Sequence, residues 1–232
     1  MKKVLYTLLS RAYSLYEKVK RLQYLHEFLM LTLIHLLAVM SPGPDFAVVV
    51  RQSISFDRKT ALITSLGIGA GIGVHMLYTL FGLGFIITQS KVGFLIAQLV
   101  GICYLSFLAF NLIKSKPQSS DGNEIALDNN PRHHKKAFML GLMTNVLNPK
   151  ATLFFLAIFT TVVSLTTPFY IQTIYAVWII FTTVLWFSLV SFFFSQKGIR
   201  AKFVKHGYIF ERVMGSVLLL FAIKLIWGLI YS

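Results

Sequence analysis

Two ionisable residues of this 232-residue sequence stand beside prolines, each inside a long apolar run. Asp45 follows Pro44 in SPGPDFAVVV, and Lys150 follows Pro149 in VLNPKATLFF. If these runs cross a membrane, each charge costs about 3 kcal/mol at the bilayer centre, and ionisable residues kept at that cost usually have a function. A carboxylate and an ammonium in one membrane site could bind the two charged groups of a zwitterion. The alternative is a permanent structural ion pair.

The prolines themselves predict broken helices. Proline lacks a backbone N–H and clashes with the preceding turn, so Pro42 and Pro44, with Gly43 between them, predict one break, and Asn148-Pro149 predicts another. Such a break is tolerated at membrane depth only where the freed groups face protein, water or a ligand. A helix that restarts at a proline presents unpaired amides and the positive end of its dipole, which suits a carboxylate. The alternative for each break is a kink that only shapes packing.

Other polar residues in the apolar runs are weaker candidates for binding. His35 and His75 lie in the first and second predicted spans, where a histidine more often serves packing than a transport pathway. Further residues that could bond between helices or contact a substrate are Gln98, Thr144 and Asn145.

The composition is typical of a polytopic membrane protein. Hydrophobic residues make up 56% of the chain and charged residues 13%, with a mean hydropathy of +0.71. A soluble domain carries about a quarter charged residues. The apolar runs are continuous rather than alternating, which predicts helices and not barrel strands. Cys103 is the only cysteine, so we expect no disulfide and no cysteine-rich metal site. We also expect no cofactor.

We expect an all-α membrane protein with six transmembrane helices arranged as two inverted three-helix repeats. The predicted helices cover residues 28–50, 61–88, 93–113, 137–164, 169–195 and 210–231. Residues 28–113 form the first repeat and residues 137–232 the second, and a polar, flexible cytoplasmic linker, residues 114–136, joins them. Residues 1–27 form a basic, amphipathic N-terminal extension that could lie on the membrane surface. Three helices per repeat imply opposite orientations for the two copies.

The basic residues of the loops predict the orientation. Loops 51–60, 114–136 and 196–209 hold three, five and four Lys or Arg residues, whereas the loops on the opposite side hold only Lys91. The positive-inside rule places the three basic loops in the cytoplasm. The net charge of +14 therefore results from basic residues that set the membrane topology, and we expect no nucleic-acid partner. The basic extension 1–27 would also prefer the cytoplasm, in conflict with this assignment.

The glycines of GIGAGIG, residues 67–73, allow close approach of another helix. This pattern could serve a homodimer, but we favour close packing against the first or third predicted helix. No strand precedes it and no Lys-Ser/Thr follows it, so a phosphate-binding loop is excluded.

Three stretches together carry a resemblance to a known family. SPGPDF, GICYLSFLAF and NVLNPKATLFF resemble the LysE/RhtB superfamily of bacterial amino-acid exporters, with similarity over about residues 30 to 231. The resemblance implies a multi-pass carrier of the bacterial inner membrane that expels threonine, homoserine, lysine or related amino acids, driven by the proton-motive force. It implies substrate-binding or coupling roles for Pro42, Gly43, Pro44, Asp45, Asn148, Pro149 and Lys150. The partners are then an amino acid, protons and the lipid bilayer.

The sequence leaves two other classes to consider. Export of another small solute or of a metal cation on the same fold is the alternative within transport. A metal cation would need several carboxylate, His or Cys ligands in the membrane, and Asp45, His35, His75 and Cys103 are few and scattered. An intramembrane enzyme would need a nucleophile with a base or a metal motif, and neither HExxH nor GxSxG occurs. We therefore expect a secondary amino-acid exporter that works by proton antiport, and no enzyme.

Overall fold

A computed structural model describes residues 2–56, 58–89, 91–116, 134–194 and 196–231 of the chain. These residues form eight α-helices and no strand. The helices are α1 (Lys2–Met40), α2 (Pro44–Ser55), α3 (Arg58–Gln89), α4 (Lys91–Ile113), α5 (His134–Val146), α6 (Pro149–Val162), α7 (Phe169–Phe194) and α8 (Lys197–Tyr231).

Within the described residues, five helices are long and apolar enough to cross a membrane. Helices α5 and α6 make a sixth span if this pair, bent by 58°, is counted as one. Large apolar side chains such as Phe107, Phe181 and Leu220 are more than half exposed on the outside of the bundle. An apolar surface of this extent is suited to lipid and not to water.

Two of the predicted spans are each a pair of helices. In the predicted helix 28–50, α1 ends at Met40 and α2 begins at Pro44, and the predicted helix 137–164 is divided into α5 and α6 before Pro149. Both prolines occupy the first position of the second helix. That position needs no N–H donor, and the fixed φ angle of proline already suits a helix there.

Helix α8 begins at Lys197 and not near residue 210, so the predicted loop 196–209 is largely helical. Lys and Arg are good helix formers, and polarity excludes a segment from lipid but not from a helix. Helix α1 likewise continues without interruption through the predicted extension 1–27, over 39 residues or about 58 Å. Residues 117–133 of the predicted linker lie outside the described residues.

Helix α3 occupies the centre of the bundle and packs against α5 and α7. A Cβ atom at Gly67 would lie 2.1 Å from the carbonyl oxygen of Phe138, and one at Gly69 would lie 2.3 Å from Cγ2 of Val184. The glycine-rich stretch therefore permits close packing within the chain. The helices closest to these glycines are α5 and α7, whereas we had expected the first or third predicted helix, because sequence spacing does not identify the partner of a small-residue face.

Helices α3 and α7 run in opposite directions. The rings of Phe81 and Phe169 contact each other at one end, with centroids 5.7 Å apart. At the other end, the Arg58 guanidinium lies 4.8 Å from the ring centroid of Phe192. The chain segments after α2 and after α7, both predicted to be cytoplasmic, are therefore at the same end of the bundle.

Glu27 attaches α1 to the segment between α6 and α7. Its carboxyl group is buried, and Thr167 Oγ1 lies 3.0 and 2.8 Å from its two oxygens. It also accepts hydrogen bonds from the Ser164 backbone N–H at 3.2 Å and from Gln23 Nε2 at 2.9 Å, and the Tyr175 hydroxyl lies 3.3 Å from Oε2. Four of these five contacts come from outside α1, and they fix the position of α1 at this end of the bundle.

We predict that Glu27→Leu destabilises the fold, because the half-buried backbone N–H of Ser164 and the buried hydroxyl of Thr167 lose their acceptor. Each unsatisfied buried donor costs about 1–3 kcal/mol, so the melting temperature in detergent should fall by roughly 5–10 °C. Glu17→Leu is the matched control, since Glu17 lies earlier in α1 and has no hydrogen bond to the rest of the described chain. Equal melting temperatures for the two variants would contradict this role of Glu27.

Candidate functional site

The first break separates α1 from α2. Pro42 cannot donate to the Ala38 carbonyl, and the Ser41 backbone N–H takes that place at 3.3 Å. Gly43 precedes α2 in an extended conformation, and its carbonyl accepts from the Ala47 N–H at 2.9 Å. Asp45 then occupies the first turn of α2, where the positive end of the helix dipole favours an anion.

The second break separates α5 from α6 in a corresponding way. Pro149 deprives the Asn145 carbonyl of its helical donor. The Asn148 backbone N–H donates to that carbonyl at 2.9 Å, and His75 Nε2 donates to it at 3.0 Å. The side chain of Asn148 caps α6, because its Oδ1 accepts from the Lys150 backbone N–H at 3.0 Å.

Reciprocal hydrogen bonds join the two breaks. Asp45 Oδ2 accepts from Asn145 Nδ2 at 2.9 Å and from Asn148 Nδ2 at 3.4 Å. Lys150 Nζ donates to Ser41 Oγ at 3.3 Å. The second residue of each restarted helix thus contacts the break in the other half of the chain. Asp45 and Lys150 make no direct ion pair within the part of the chain that the structure describes.

A cavity of about 60 Å³ lies at this junction, with room for a few water molecules. Its polar lining residues are His35, Ser41, Asp45, Asn145, Asn148, Lys150 and Thr183. Phe154, Phe155 and Phe187 contribute apolar walls. Thr183 is close to the middle of α7, so the cavity lies deep in the bundle and away from both ends.

The cavity presents both charge types with spare hydrogen-bonding capacity. Asp45 Oδ1 and Asn145 Oδ1 are buried acceptors without a donor among the described residues. The Lys150 ammonium has three N–H groups, of which one is directed to Ser41. An open carboxylate oxygen at Asp45 suits an ammonium group, and the partly free ammonium of Lys150 suits a carboxylate. The arrangement can therefore bind both charged ends of a zwitterion.

Most of the predicted site residues meet at this cavity. The lining includes Gly43, Pro44, Asp45, Asn148 and Lys150, together with His35 and Asn145 from the weaker candidates. Pro42 and Pro149 create the breaks that shape the cavity. His75 is not part of the lining but supports the Asn145 carbonyl through one ring nitrogen, and its other nitrogen bonds to the Tyr78 hydroxyl.

Two of the weaker candidates lie elsewhere. The Thr144 hydroxyl donates to the Leu140 carbonyl one turn earlier in α5, at 2.7 Å. Gln98 lines a separate cleft of about 660 Å³, which Glu27 and Lys224 also line. Neither Thr144 nor Gln98 contacts the central cavity.

Three residues at the site or in its support were not predicted from the sequence to have a role. Ser41 is the partner of Lys150, Thr183 bonds to His35, and Glu27 fixes α1 at the far end. Ser41 precedes the first proline, and Glu27 is a lone acidic residue at the start of an apolar run. Both could therefore have been identified from the sequence as candidates. Thr183 gave none, because it is one of several threonines in apolar spans.

Comparisons with known proteins point to one family. The model of the LysE type translocator family matches residues 36–228. The chain is 29% identical to the threonine efflux protein of Escherichia coli K12 over 203 residues, which cover 86% of this chain and 97% of that protein. It is 28% identical to the uncharacterized membrane protein YahN of Escherichia coli K12, covering 88% and 90% of the two chains. It is 26% identical to YrhP of Bacillus subtilis, covering 86% and 98%. No solved structure matches.

We predict that Gly71→Ala disturbs the site through Asn145. A Cβ atom at Gly71 would lie 2.6 Å from Asn145 Oδ1, so the amide that donates to Asp45 must shift from its position. Gly73→Ala is the matched control in the same helix, because its Cβ would meet only Ile180 Cδ1 at 3.7 Å, an ordinary contact. In reconstituted vesicles, solute export by Gly71→Ala should fall at least about 10-fold, because the loss of a polar contact worth about 1.4 kcal/mol corresponds to a factor of about 10. Export by Gly73→Ala should stay near that of the wild type. Similar export by both would refute this role of Asn145.

Proposed function

The chain belongs to the LysE type translocator family and is a multi-pass protein of the inner membrane, and on that premise we propose that it is a secondary transporter that exports amino acids from the cytoplasm. The substrate class is that of threonine, homoserine and similar small amino acids. Protons move inward in exchange. The chain performs no covalent chemistry.

The reciprocal contact between the two helix breaks is the observation that carries this proposal. Asp45 bonds to the break of the second half, and Lys150 bonds to the break of the first. A carboxylate and an ammonium thus stand in one buried cavity without neutralising each other directly. Both remain available to the opposite charges of a zwitterion, which every amino acid carries whatever its side chain.

The proposed architecture is six transmembrane helices in two inverted repeats. In this scheme α1–α2, α3 and α4 correspond to α5–α6, α7 and α8. The contacts between helices support it, because α2 packs on α5 as α6 packs on α1, and α2 packs on α7 as α6 packs on α3. The equivalent placement of Asp45 and Lys150 gives further support. A binding site at broken helices between repeats is the usual arrangement in secondary transporters.

Asp45 is the proposed proton carrier. Its carboxyl group is bonded to two neutral amides, so a proton can bind or leave without breaking a direct ion pair. Protonation would weaken the attraction for a substrate ammonium, and loss of the proton would restore it. Binding of a proton and binding of the substrate would then exclude each other, as antiport requires.

Among relatives, the threonine efflux proteins of Escherichia coli and Salmonella typhi favour a small amino acid as the substrate. Export of another solute or of a metal cation is the alternative. The described residues contain no group of three or more His, Cys, Asp or Glu side chains placed to hold a metal ion, which favours the amino acid. Cadmium sensitivity of a deletion strain, cured by the gene, would favour the alternative.

The decisive experiment loads proteoliposomes with a panel of labelled amino acids. Efflux is measured with and without an inwardly directed proton gradient, against empty liposomes. The proposal expects efflux of small neutral amino acids that the gradient accelerates. Absence of stimulated efflux for every member of the panel would reject amino-acid export.

We predict that Asp45→Asn removes the acceleration by the proton gradient and reduces efflux at least about 10-fold, because an amide neither carries a proton nor attracts an ammonium. Glu17→Gln provides a control in which a carboxyl group outside the cavity is changed in the same way. If the proton gradient still accelerates efflux by Asp45→Asn, Asp45 is not the proton carrier. That result would not contradict amino-acid export itself.

A further inference from the structure

His35 is a polar residue of the cavity to which the proposed binding of the two charged ends of a zwitterion gives no role. His35 of α1 lines the cavity and is 2% exposed. Its Nε2 lies 3.0 Å from the hydroxyl oxygen of Thr183 on α7, which also lines the cavity. The imidazole ring packs against Phe155, with ring centroids 6.0 Å apart.

The hydrogen bonds of Thr183 determine which nitrogen of His35 carries a proton. The Thr183 hydroxyl donates its single proton to the Ile179 carbonyl at 2.9 Å. It must therefore accept from His35, and Nε2 of His35 carries the hydrogen. The tautomer follows from this accounting of donors and acceptors and not from an observed hydrogen.

The other nitrogen, Nδ1, is then a bare acceptor. It is buried and has no hydrogen-bond partner among the described residues. A second proton there would give a buried cation with an N–H that no described acceptor meets, so the ring is neutral. A buried acceptor in a binding cavity, left open by the protein, is a position for a donor from the ligand.

We propose that His35 determines specificity by accepting a hydrogen bond from the side chain of the substrate. This inference rests on the proposed function and adds to it the kind of side chain that is selected. The substrate class is small neutral amino acids with a hydroxyl group. Asp45 and Lys150 bind the two charges of the backbone, and His35 reads the side chain.

A charged side chain fits this cavity poorly. A second ammonium or guanidinium would need a counter-ion, and Asp45 is the one carboxylate among the described lining residues. The remaining walls near His35 are apolar, including Phe155 and Phe187. An unpaired charge in such surroundings is costly, whereas a neutral hydroxyl needs only one acceptor.

Threonine and valine provide a direct test, because valine replaces the hydroxyl with a methyl group of nearly the same shape. The full chain is reconstituted in proteoliposomes, and uptake of labelled threonine by exchange is inhibited with unlabelled threonine or valine. For the wild type, half-inhibition should need about 10- to 100-fold more valine than threonine, since valine leaves the His35 acceptor unpaired.

His35→Phe keeps a ring against Phe155 but removes the acceptor. In this variant the concentrations of threonine and valine needed for half-inhibition should lie within about 3-fold of each other. The difference should shrink because threonine binds more weakly, and valine should bind as it does to the wild type. Thr183→Val removes the group that fixes the tautomer and should narrow the preference as well. Thr182→Val is the matched control, because the Thr182 hydroxyl bonds only within α7 and Thr182 does not line the cavity. It should retain the wild-type preference.

The outcomes separate the two proposals. Equal inhibition of the wild type by threonine and valine would overturn the specificity role and leave amino-acid export in place. An unchanged threonine preference in His35→Phe would do the same, and if that variant does not fold, an unchanged preference in Thr183→Val decides equally. No exchange of any amino acid by the wild type would reject the proposed function and, with it, this inference.

Discussion

Pro42 and Pro149 each withdraw a backbone donor deep in the helix bundle, and the replacement of those two donors organises the centre of the molecule. The Asn145 carbonyl, which Pro149 leaves without its helical partner, is bonded by the Asn148 N–H and by His75. These bonds hold Asn145 where its side chain can donate to Asp45. The network that satisfies the interrupted backbone is therefore the same network that orients the acidic group of the cavity.

Such a network requires helices that approach each other closely, and α3 makes this possible. Apolar side chains gain little by packing against each other in lipid, so close contact of backbones has to contribute to helix association. A Cβ atom at Gly141 of α5 would lie 2.1 Å from the Thr64 carbonyl of α3, and one at Gly71 would lie 2.6 Å from Asn145. Glycine on both helices allows the second break to pack against α3. Helix α7 packs on another face of α3, at Gly69 and Gly73.

The sequence predicted the helical class, both breaks and the two charged residues, because a proline or a charge in an apolar run is conspicuous. It did not predict the partners of those charges. Asp45 and Lys150 bond to an amide and to a hydroxyl of the other half, and these contacts join residues about a hundred positions apart. Thr183 and the true neighbours of the α3 glycines were missed for a related reason. A helix that is apolar all round shows no periodicity that would distinguish its lipid face from its protein face.

The packing of α1 against α6 shows what export as proposed requires. The central cavity and the larger cleft beside Glu27 are both lined by α1 and α6. Between them along these helices lie Leu31, Ile34, Ile158 and Phe159, which are at most 2% exposed and pack in one cluster. A solute that leaves the cavity toward the cleft has to separate α1 from α6 here. Dispersion contacts are individually weak and collectively large, whereas the hydrogen bonds of Glu27 join α1 to the segment after α6, and those of Asp45 join α2 to the break before α6. Separation of α1 from α6 in this stretch therefore requires many weak contacts to be lost together, and no hydrogen bond of Glu27 or Asp45 lies within it.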